Sequence, residues 1–208
     1  MKYDISCKVF NLFFSKLLKQ YYFKRGEKDE YFKHINSIKK EYKAMILRTP
    51  KLSKDNKMAG NLKGAAYFFS MAKHIPNLTP QKLDEIIDFF FSTKAMEKVY
   101  YSKSKKGKLF SDKEQDKMFK DSLRSQKSND EMDWKFTYNK DKHHKYITYN
   151  ITKCGVCELA KRESVLDFLP CMCKMDYPKY KLSGAKLLRT KTLANNDDCC
   201  DFHLTRIK

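Results

Sequence analysis

The sequence predicts an α+β fold in which a helical, bundle-like N-terminal part packs with a small antiparallel sheet and further helices in the C-terminal third. Through the first 128 residues, apolar side chains recur every three or four positions, which is typical of amphipathic helices. From residue 129, short aromatic and β-branched runs alternate with polar residues, which is typical of strands. We expect one domain over residues 1–208, with a mainly helical part at 1–128 and a cysteine-rich α+β part at 129–208.

Capping and breaking residues divide the N-terminal part. We predict its first four helices at 3–23, 27–48, 62–74 and 79–99. Gly26 ends the first, and the Thr49-Pro50 pair ends the second because a residue before proline disfavours the helical conformation. Thr79 caps the fourth, with Pro80 at its first position. A basic loop at 102–107 is followed by a helix that Ser111 caps.

The C-terminal part is predicted to contain two strand pairs with helices between them. The predicted strands are 134–138, 146–152, 187–193 and 200–207, and the predicted helices are 155–163 and 170–182. A polar turn at 139–143 joins the first strand pair, and residues 194–198 join the second. Two antiparallel pairs of this kind form a small sheet.

The charge of the chain does not by itself indicate a nucleic-acid partner. Lys and Arg number 44 against 25 acidic residues, which gives a net charge of +19. The lysines are interspersed with acids on most predicted helices, only 103–108 forms a run, and no nucleic-acid-binding motif accompanies them. This distribution favours a solvated surface and argues against a nucleic-acid partner. Aromatic-rich helices, such as the one with three consecutive phenylalanines at 89–91, could bury the face of a homodimer.

The cysteines indicate a reducing setting. There are seven, an odd number, and the apolar residues at 1–23 are interrupted by charged ones. This interruption argues against a secretory leader and against a membrane span, which needs about 20 largely uncharged residues. We therefore expect a cytoplasmic protein with free thiols.

Six cysteines cluster in the C-terminal part and carry the candidate chemistry. They form Cys154-x-x-Cys157, Cys171-x-Cys173 and Cys199-Cys200. Cys154, Cys157, Cys173 and Cys200 could bind zinc or part of an iron–sulfur centre, although structural zinc usually takes two matching C-x-x-C turns. Redox sensing or simple burial of small apolar thiols would also explain the cluster. A further explanation is catalysis by a thiolate beside an acid.

The catalytic explanation rests on a short spacing. Cys173 and Asp176 stand one helical turn apart, so a continuous helix would place both on one face. Asp201 alternates away from Cys200 on the last predicted strand and shares a face with His203. The sequence contains no Gly-rich phosphate loop, H-E-x-x-H helix or G-x-S-x-G elbow, which excludes the commonest nucleotide, metalloprotease and serine-hydrolase signatures.

Four short motifs stand in a fixed order in the C-terminal part: KCGVC at 153–157, CKMDY at 173–177, RTKTLA at 189–194 and CDF at 200–202. Together they resemble the L-2-amino-thiazoline-4-carboxylic acid hydrolase family. Asp133-Trp134 ahead of the first strand and Gly184 before the third also resemble that family. The resemblance covers roughly the last 80 residues. Two positions depart from the family's pattern: residues 195–198 replace a common glycine turn, and His203 stands where arginine is common.

The resemblance implies a hydrolase that opens a cyclic amidine and needs no cofactor. The family's namesake reaction converts L-2-amino-thiazoline-4-carboxylate to N-carbamoyl-L-cysteine, so we expect the enzyme to act on a cyclic C–N or C=N bond. By match to the motifs, Cys173 or Cys200 is the nucleophile, Asp176 the acid–base group and Arg189 the anion clamp. Cys154 is a third cysteine of the site.

Three further residues complete the implied site around a small-molecule substrate. Trp134 would wall the pocket, Asp201 would orient a neighbour, and His203 would take the place of the anion-binding arginine. The alternative is a non-enzymatic module whose cysteines bind metal or sense oxidation.

Overall fold

The computed structural model describes residues 1–53, 55–105, 108–141 and 145–207, with the backbone alone for 101–105. The helices are α1 (Ile5–Lys24), α2 (Lys28–Arg48), α3 (Ala59–His74), α4 (Pro80–Phe91), α5 (Lys94–Lys105), α6 (Asp112–Lys127), α7 (Gly155–Arg162), α8 (Leu169–Lys174) and α9 (Asp176–Leu182). The strands are β1 (Lys135–Asn139), β2 (Tyr146–Lys153), β3 (Ala185–Leu188) and β4 (Cys200–Arg206). The predicted α+β fold is confirmed.

Side-chain caps begin several of the helices. Asp4 accepts a hydrogen bond from the Cys7 amide at 2.9 Å at the start of α1. Thr79 caps α4 and Ser111 caps α6, both as predicted. The apolar stripes of these helices meet in an aromatic cluster in which Phe14 lies between α3 and α4. Burial of these stripes stabilises the helical part.

One predicted helix is two helices in the structure. The segment 79–99 was expected to be continuous, but α4 ends at Phe91 and α5 begins at Lys94. The Thr93 hydroxyl donates to the Phe90 carbonyl and accepts from the Met96 amide, so it satisfies backbone groups at both helix ends. The predicted loop at 102–107 is also wrong for residues 102–105, which continue α5, while 106 and 107 lie outside the described residues.

The four described strands form an antiparallel sheet in the order β1-β2-β4-β3. Its inner face is apolar and aromatic, and α6 and α9 pack against the edge strands β1 and β3. On this face Tyr149 stacks on Phe202 with the ring centroids 4.4 Å apart. The other face carries mainly polar, partly exposed side chains, as strand alternation requires. Residues 142 and 143 of the predicted turn lie outside the described residues.

Two further predicted elements differ from the structure, and both changes shape the site. The segment 170–182 is broken between α8 and α9, because Pro178 lacks an amide hydrogen and its ring would clash with the carbonyl four residues earlier. The strand predicted at 187–193 is β3, which ends at Leu188. Beyond it, the Thr190 and Lys191 amides donate to the Asp201 side chain instead of continuing the ladder.

Buried side chains from the helical part and from the sheet form one continuous hydrophobic cluster. Phe90 and Phe91 lie inside it, so two of the three phenylalanines proposed for a dimer face belong to the core. The homodimer itself stays a prediction. None of the helices in the described part of the chain is long and apolar enough to cross a membrane.

Candidate functional site

Cys154 stands at the junction of β2 and α7, where the sheet meets a helix N-terminus. It is the N-cap residue of α7 and is half-buried. Gly155 follows it and lies against the Met132 carbonyl and the Trp134 ring, where no side chain would fit. The chain can turn here from strand to helix only because this position lacks a Cβ.

Cys154 has the thiol that is easiest to ionise within the cluster. A hydrogen bond from the Cys157 thiol lowers the pKa of Cys154; burial opposes this, and the amides of Cys157 and Val156 assist it. The same interaction raises the pKa of Cys157 far above the ordinary thiol value. The Cys154 side chain makes no capping hydrogen bond to the amides of α7, but a helix N-terminus favours the thiolate form of a cysteine placed there.

Cys173 and Cys200 lie close enough to Cys154 for its charge to affect them, but their thiols are held neutral. Burial raises the pKa of Cys173 to about 12, with repulsion from a charged Cys154 as the next cause. Burial likewise raises the pKa of Cys200 to about 11, even though the Leu193 amide donates to its sulfur at 3.2 Å. The three thiols therefore lie in one cluster and differ in the direction of their pKa shifts, and their role as a catalytic site stays a prediction.

Asp176 and Cys173 lie on either side of the break between α8 and α9, and Arg189 connects them. Arg189 donates from Nη1 to Asp176 Oδ2 at 3.0 Å and from Nη2 to the Cys173 carbonyl at 2.7 Å. The single helix predicted over both residues is interrupted at Met175, which keeps helical dihedral angles. The buried guanidinium of Arg189, whose side chain is 3% exposed, contacts both residues.

A second cation and three tyrosines surround the other side of Asp176. Lys179 donates to Asp176 Oδ1 at 3.2 Å and lies 5.2 Å from the centroid of the Tyr180 ring. The Tyr180 and Tyr149 hydroxyls are hydrogen-bonded at 2.5 Å, and burial raises the pKa of both. Burial also raises the pKa of Tyr100 in α5, and the positive charge of Lys179 is near enough to oppose this rise. Tyrosine hydroxyls of this kind stay protonated and can donate hydrogen bonds.

Two predicted substrate-binding residues are not brought to this cluster. Cys200 and Phe202 point to the inner face of β4, whereas Asp201 and His203 point to the opposite, partly exposed face. His203 stacks on Tyr146 there, with the ring centroids 5.9 Å apart. Asp201 accepts a hydrogen bond from the Thr190 hydroxyl at 2.7 Å. Burial alone would raise the pKa of Asp201, but the hydrogen bonds that it accepts outweigh burial and hold this pKa below its ordinary value. Asp201 thus orients a neighbouring segment, the role first suggested for it.

Comparison with protein-family models places this arrangement in a known family. The model described as L-2-amino-thiazoline-4-carboxylic acid hydrolase matches residues 55–204. The chain belongs to this family. No curated protein and no solved structure matches it. The match begins ahead of α3, so all the residues of the cysteine cluster and of the Asp176 environment lie in the part shared with the L-2-amino-thiazoline-4-carboxylic acid hydrolase family.

The family-like Asp133-Trp134 pair supports the site from behind. Asp133 is buried and accepts hydrogen bonds from Arg124 at 2.6 and 3.1 Å, from Asn56 at 2.6 Å and from the Trp134 amide at 2.8 Å. Trp134 is also buried, and its ring lies against Gly155 beside Cys154. The role of Trp134 as a pocket wall stays a prediction, and sequence reasoning missed the ion pair between Arg124 and Asp133 that supports it. The same reasoning missed Lys179, although its spacing of three residues from Asp176 on a helix was a usable signal.

The described residues include no group of three or more His, Cys, Asp or Glu side chains placed to hold a metal ion, and all seven cysteines are free thiols. The zinc or iron–sulfur alternative stays a prediction for metal analysis to test. A cleft of about 670 Å³ lies elsewhere and is lined by Glu163, Arg48 and neighbouring charged residues. Burial alone would raise the pKa of Glu163 in this cleft, but hydrogen bonds from Arg48 and Lys73 outweigh burial and hold this pKa below its ordinary value. This network links α2 and α3 to the end of α7.

Proposed function

We propose that this protein is a thiol hydrolase that opens the ring of a small cyclic amidine such as a 2-aminothiazoline carboxylate. The observation that carries the proposal is the position of Cys154 at the N-cap of α7, in a cluster that also contains Cys173 and Asp176, and the lowered pKa of Cys154 agrees with it. A nucleophile with an available thiolate beside an acid–base group is the arrangement that covalent hydrolysis requires. Membership of the L-2-amino-thiazoline-4-carboxylic acid hydrolase family supports the substrate class.

The reaction divides into two steps that balance. The Cys154 thiolate adds to the amidine carbon, and the ring C–S bond breaks as the departing sulfur takes a proton. This leaves a linear isothiourea on the Cys154 sulfur. Water then adds to the same carbon and the Cys154 thiol leaves, which gives the urea group of an N-carbamoyl-cysteine. The thiolate adds to the carbon of the C=N bond, but both C–N bonds of the amidine remain in the product. The ring bond that is broken is therefore the C–S bond.

Neighbouring residues have separate roles in these steps. Asp176 is the acid–base group that takes the proton of the attacking water, and Arg189 holds its carboxylate in place. Cys157 donates to the Cys154 sulfur and stabilises its thiolate. Cys173 and Cys200, whose pKa values are about 12 and 11, line the site as neutral thiols.

The direct test is turnover of L-2-amino-thiazoline-4-carboxylate, with the N-carbamoyl-L-cysteine formed measured after chromatographic separation. Cys154→Ser is expected to lower kcat by about 1,000-fold or more, because a serine hydroxyl is not ionised near neutral pH. Cys199→Ser is the matched control and should retain wild-type turnover, since Cys199 lies outside the cluster and shows no interaction with Cys154. Full activity in Cys154→Ser would exclude the proposed nucleophile.

A second candidate function is dithiol redox sensing. The observation that favours it is the pairing of Cys154 and Cys157, with one pKa lowered and the other raised, which suits attack of the first thiolate and resolution by the second. Mild peroxide treatment followed by peptide mapping separates the two functions. A reversible Cys154–Cys157 disulfide in a protein that turns over no cyclic amidine would favour the sensor.

A further inference from the structure

Arg189, the anion clamp implied by the sequence, has little capacity to receive a substrate. Both terminal nitrogens are engaged, one with Asp176 and one with the Cys173 carbonyl. Its guanidinium lies 5.3 Å from the centroid of the Tyr177 ring and 4.9 Å from that of Phe202. The remaining nitrogen, Nε, is buried and has no hydrogen-bond partner. Because the Arg189 side chain is only 3% exposed, a carboxylate from solvent has little access to this cation.

Lys179 is the more exposed of the two cations beside Asp176. Its side chain is 30% exposed, against 3% for Arg189. An ammonium group has three donors, and within the described part of the chain Lys179 uses one of them, on Asp176. The nearby Lys174 and Lys191 are paired with Asp84 and Asp198.

We infer that Lys179 binds the carboxylate of the substrate, and that Arg189 is a positioning residue for Asp176. The inference rests on the proposed function and deepens it by naming the residue that selects carboxylated rings. The free donors of Lys179 point to a charge-assisted hydrogen bond with the substrate, made while the third donor holds Asp176.

The ionisation state of Lys179 agrees with this role. Burial alone would lower its pKa, but the negative charge of Asp176 outweighs burial and raises the pKa of Lys179. The ammonium therefore stays charged throughout the neutral range and can hold an anion, whereas it cannot serve as a base. Lys179 and Arg189 thus have different roles: Lys179 has free donors to bind an anion, whereas Arg189 is held by Asp176 and the Cys173 carbonyl.

The experiment compares two substrates that differ only in the carboxylate: L-2-amino-thiazoline-4-carboxylate and 2-amino-2-thiazoline. In Lys179→Met, KM for the carboxylated ring is expected to rise about 10- to 100-fold, the size expected for loss of one charge-assisted hydrogen bond. Loss of the contact with Asp176 should lower kcat on both rings by the same factor, so kcat/KM for the carboxylated ring should fall about 10- to 100-fold further than kcat/KM for the ring without a carboxylate. Lys179→Arg should restore most of the loss, because it keeps the charge.

Lys181→Met is the matched control, since Lys181 is exposed on the same helix two residues further on. It should behave as wild type on both rings. Arg189→Lys is expected to lower kcat equally on both rings and to leave the ratio of their KM values unchanged. If Arg189 bound the carboxylate, this ratio would change. An unchanged KM in Lys179→Met, or an equal loss on both rings, would overturn the inference.

Binding of L-thiazolidine-4-carboxylate, a saturated ring with the same carboxylate, distinguishes failure of the inference from failure of the proposed function. Calorimetry on the whole protein needs no turnover. Binding that is lost in Lys179→Met but kept in Lys181→Met supports the inference even if the wild type hydrolyses neither ring, an outcome that would overturn the hydrolase proposal alone. Equal binding by wild type and Lys179→Met, or no binding by either, would overturn the role of Lys179.

Discussion

Gly155→Ala tests whether the turn between β2 and α7 at Cys154 requires a residue without a Cβ. A Cβ at this position would clash with the backbone carbonyl oxygen of Met132 and would lie 3.0 Å from Cζ3 of Trp134. A backbone carbonyl cannot rotate away as a flexible side chain can. The substitution must therefore move the start of α7, and with it Cys154, away from the sheet.

The expected magnitude follows from two opposing effects. Overpacking of a filled site destabilises a protein by about 1–3 kcal/mol, and the clash with backbone places this case near the upper end. Replacing glycine by alanine in a helix contributes about 0.5–1 kcal/mol in the other direction. The net loss in the free energy of unfolding should be about 2 kcal/mol.

The assay is urea denaturation followed by fluorescence of Trp134, the chain's only tryptophan, which lies against this turn. Gly64→Ala in α3 is the matched control, because its Cβ would meet only Phe10 Cε1, at 4.0 Å. The control should gain about 0.5–1 kcal/mol. If Gly155→Ala were as stable as wild type and its Cys154 reacted equally fast with iodoacetamide, the reasoning about this turn would be refuted.

Three further predictions concern ionised groups. In Cys157→Ala, the pH midpoint for alkylation of Cys154 should rise, because the thiolate loses the hydrogen bond that lowers its pKa; an unchanged midpoint would contradict this cause. Asp133→Asn should lose about 1–3 kcal/mol of unfolding free energy in urea, since Arg124 loses one of its two carboxylate partners and keeps only Asp121, and a loss below about 0.5 kcal/mol would argue against that contact. The lowered pKa of Glu163 means that its contribution is complete above about pH 4.3 and is lost as pH falls through the folded-state pKa. The stability difference between wild type and Glu163→Gln, measured by denaturation at several pH values, should therefore shrink on acidification, and a constant difference would refute it.

The helices and strands were largely predictable because periodicity and caps are local signals. Thr79 and Ser111 begin helices as expected, and the aromatic alternation gives β1 and β2. The break after α4 was not predictable, because Thr93 makes it through hydrogen bonds to the backbone without glycine or proline. The break before α9 did have a signal in Pro178, which excludes a continuous helix.

The site was predictable only as a set of residues, because its contacts cross elements that are distant in sequence. The motifs bring Cys154, Cys173 and Cys200 together, but the order of their reactivity depends on burial and on a helix N-terminus. Strand alternation alone could have excluded His203 from the cysteine cluster, because residues 200 and 203 of one strand lie on opposite faces and Cys200 faces inward. That Arg189 is fixed by the protein rather than open to a ligand could be learned only from the fold.

The most direct test of the account is to find which sulfur carries the intermediate. Wild-type protein is mixed with L-2-amino-thiazoline-4-carboxylate, quenched in acid within the first turnover, and digested for peptide mapping by mass spectrometry. The account predicts an isothiourea adduct on Cys154 that disappears when turnover is complete. An adduct on Cys173 or Cys200, or product formed with no adduct on any cysteine, would contradict it.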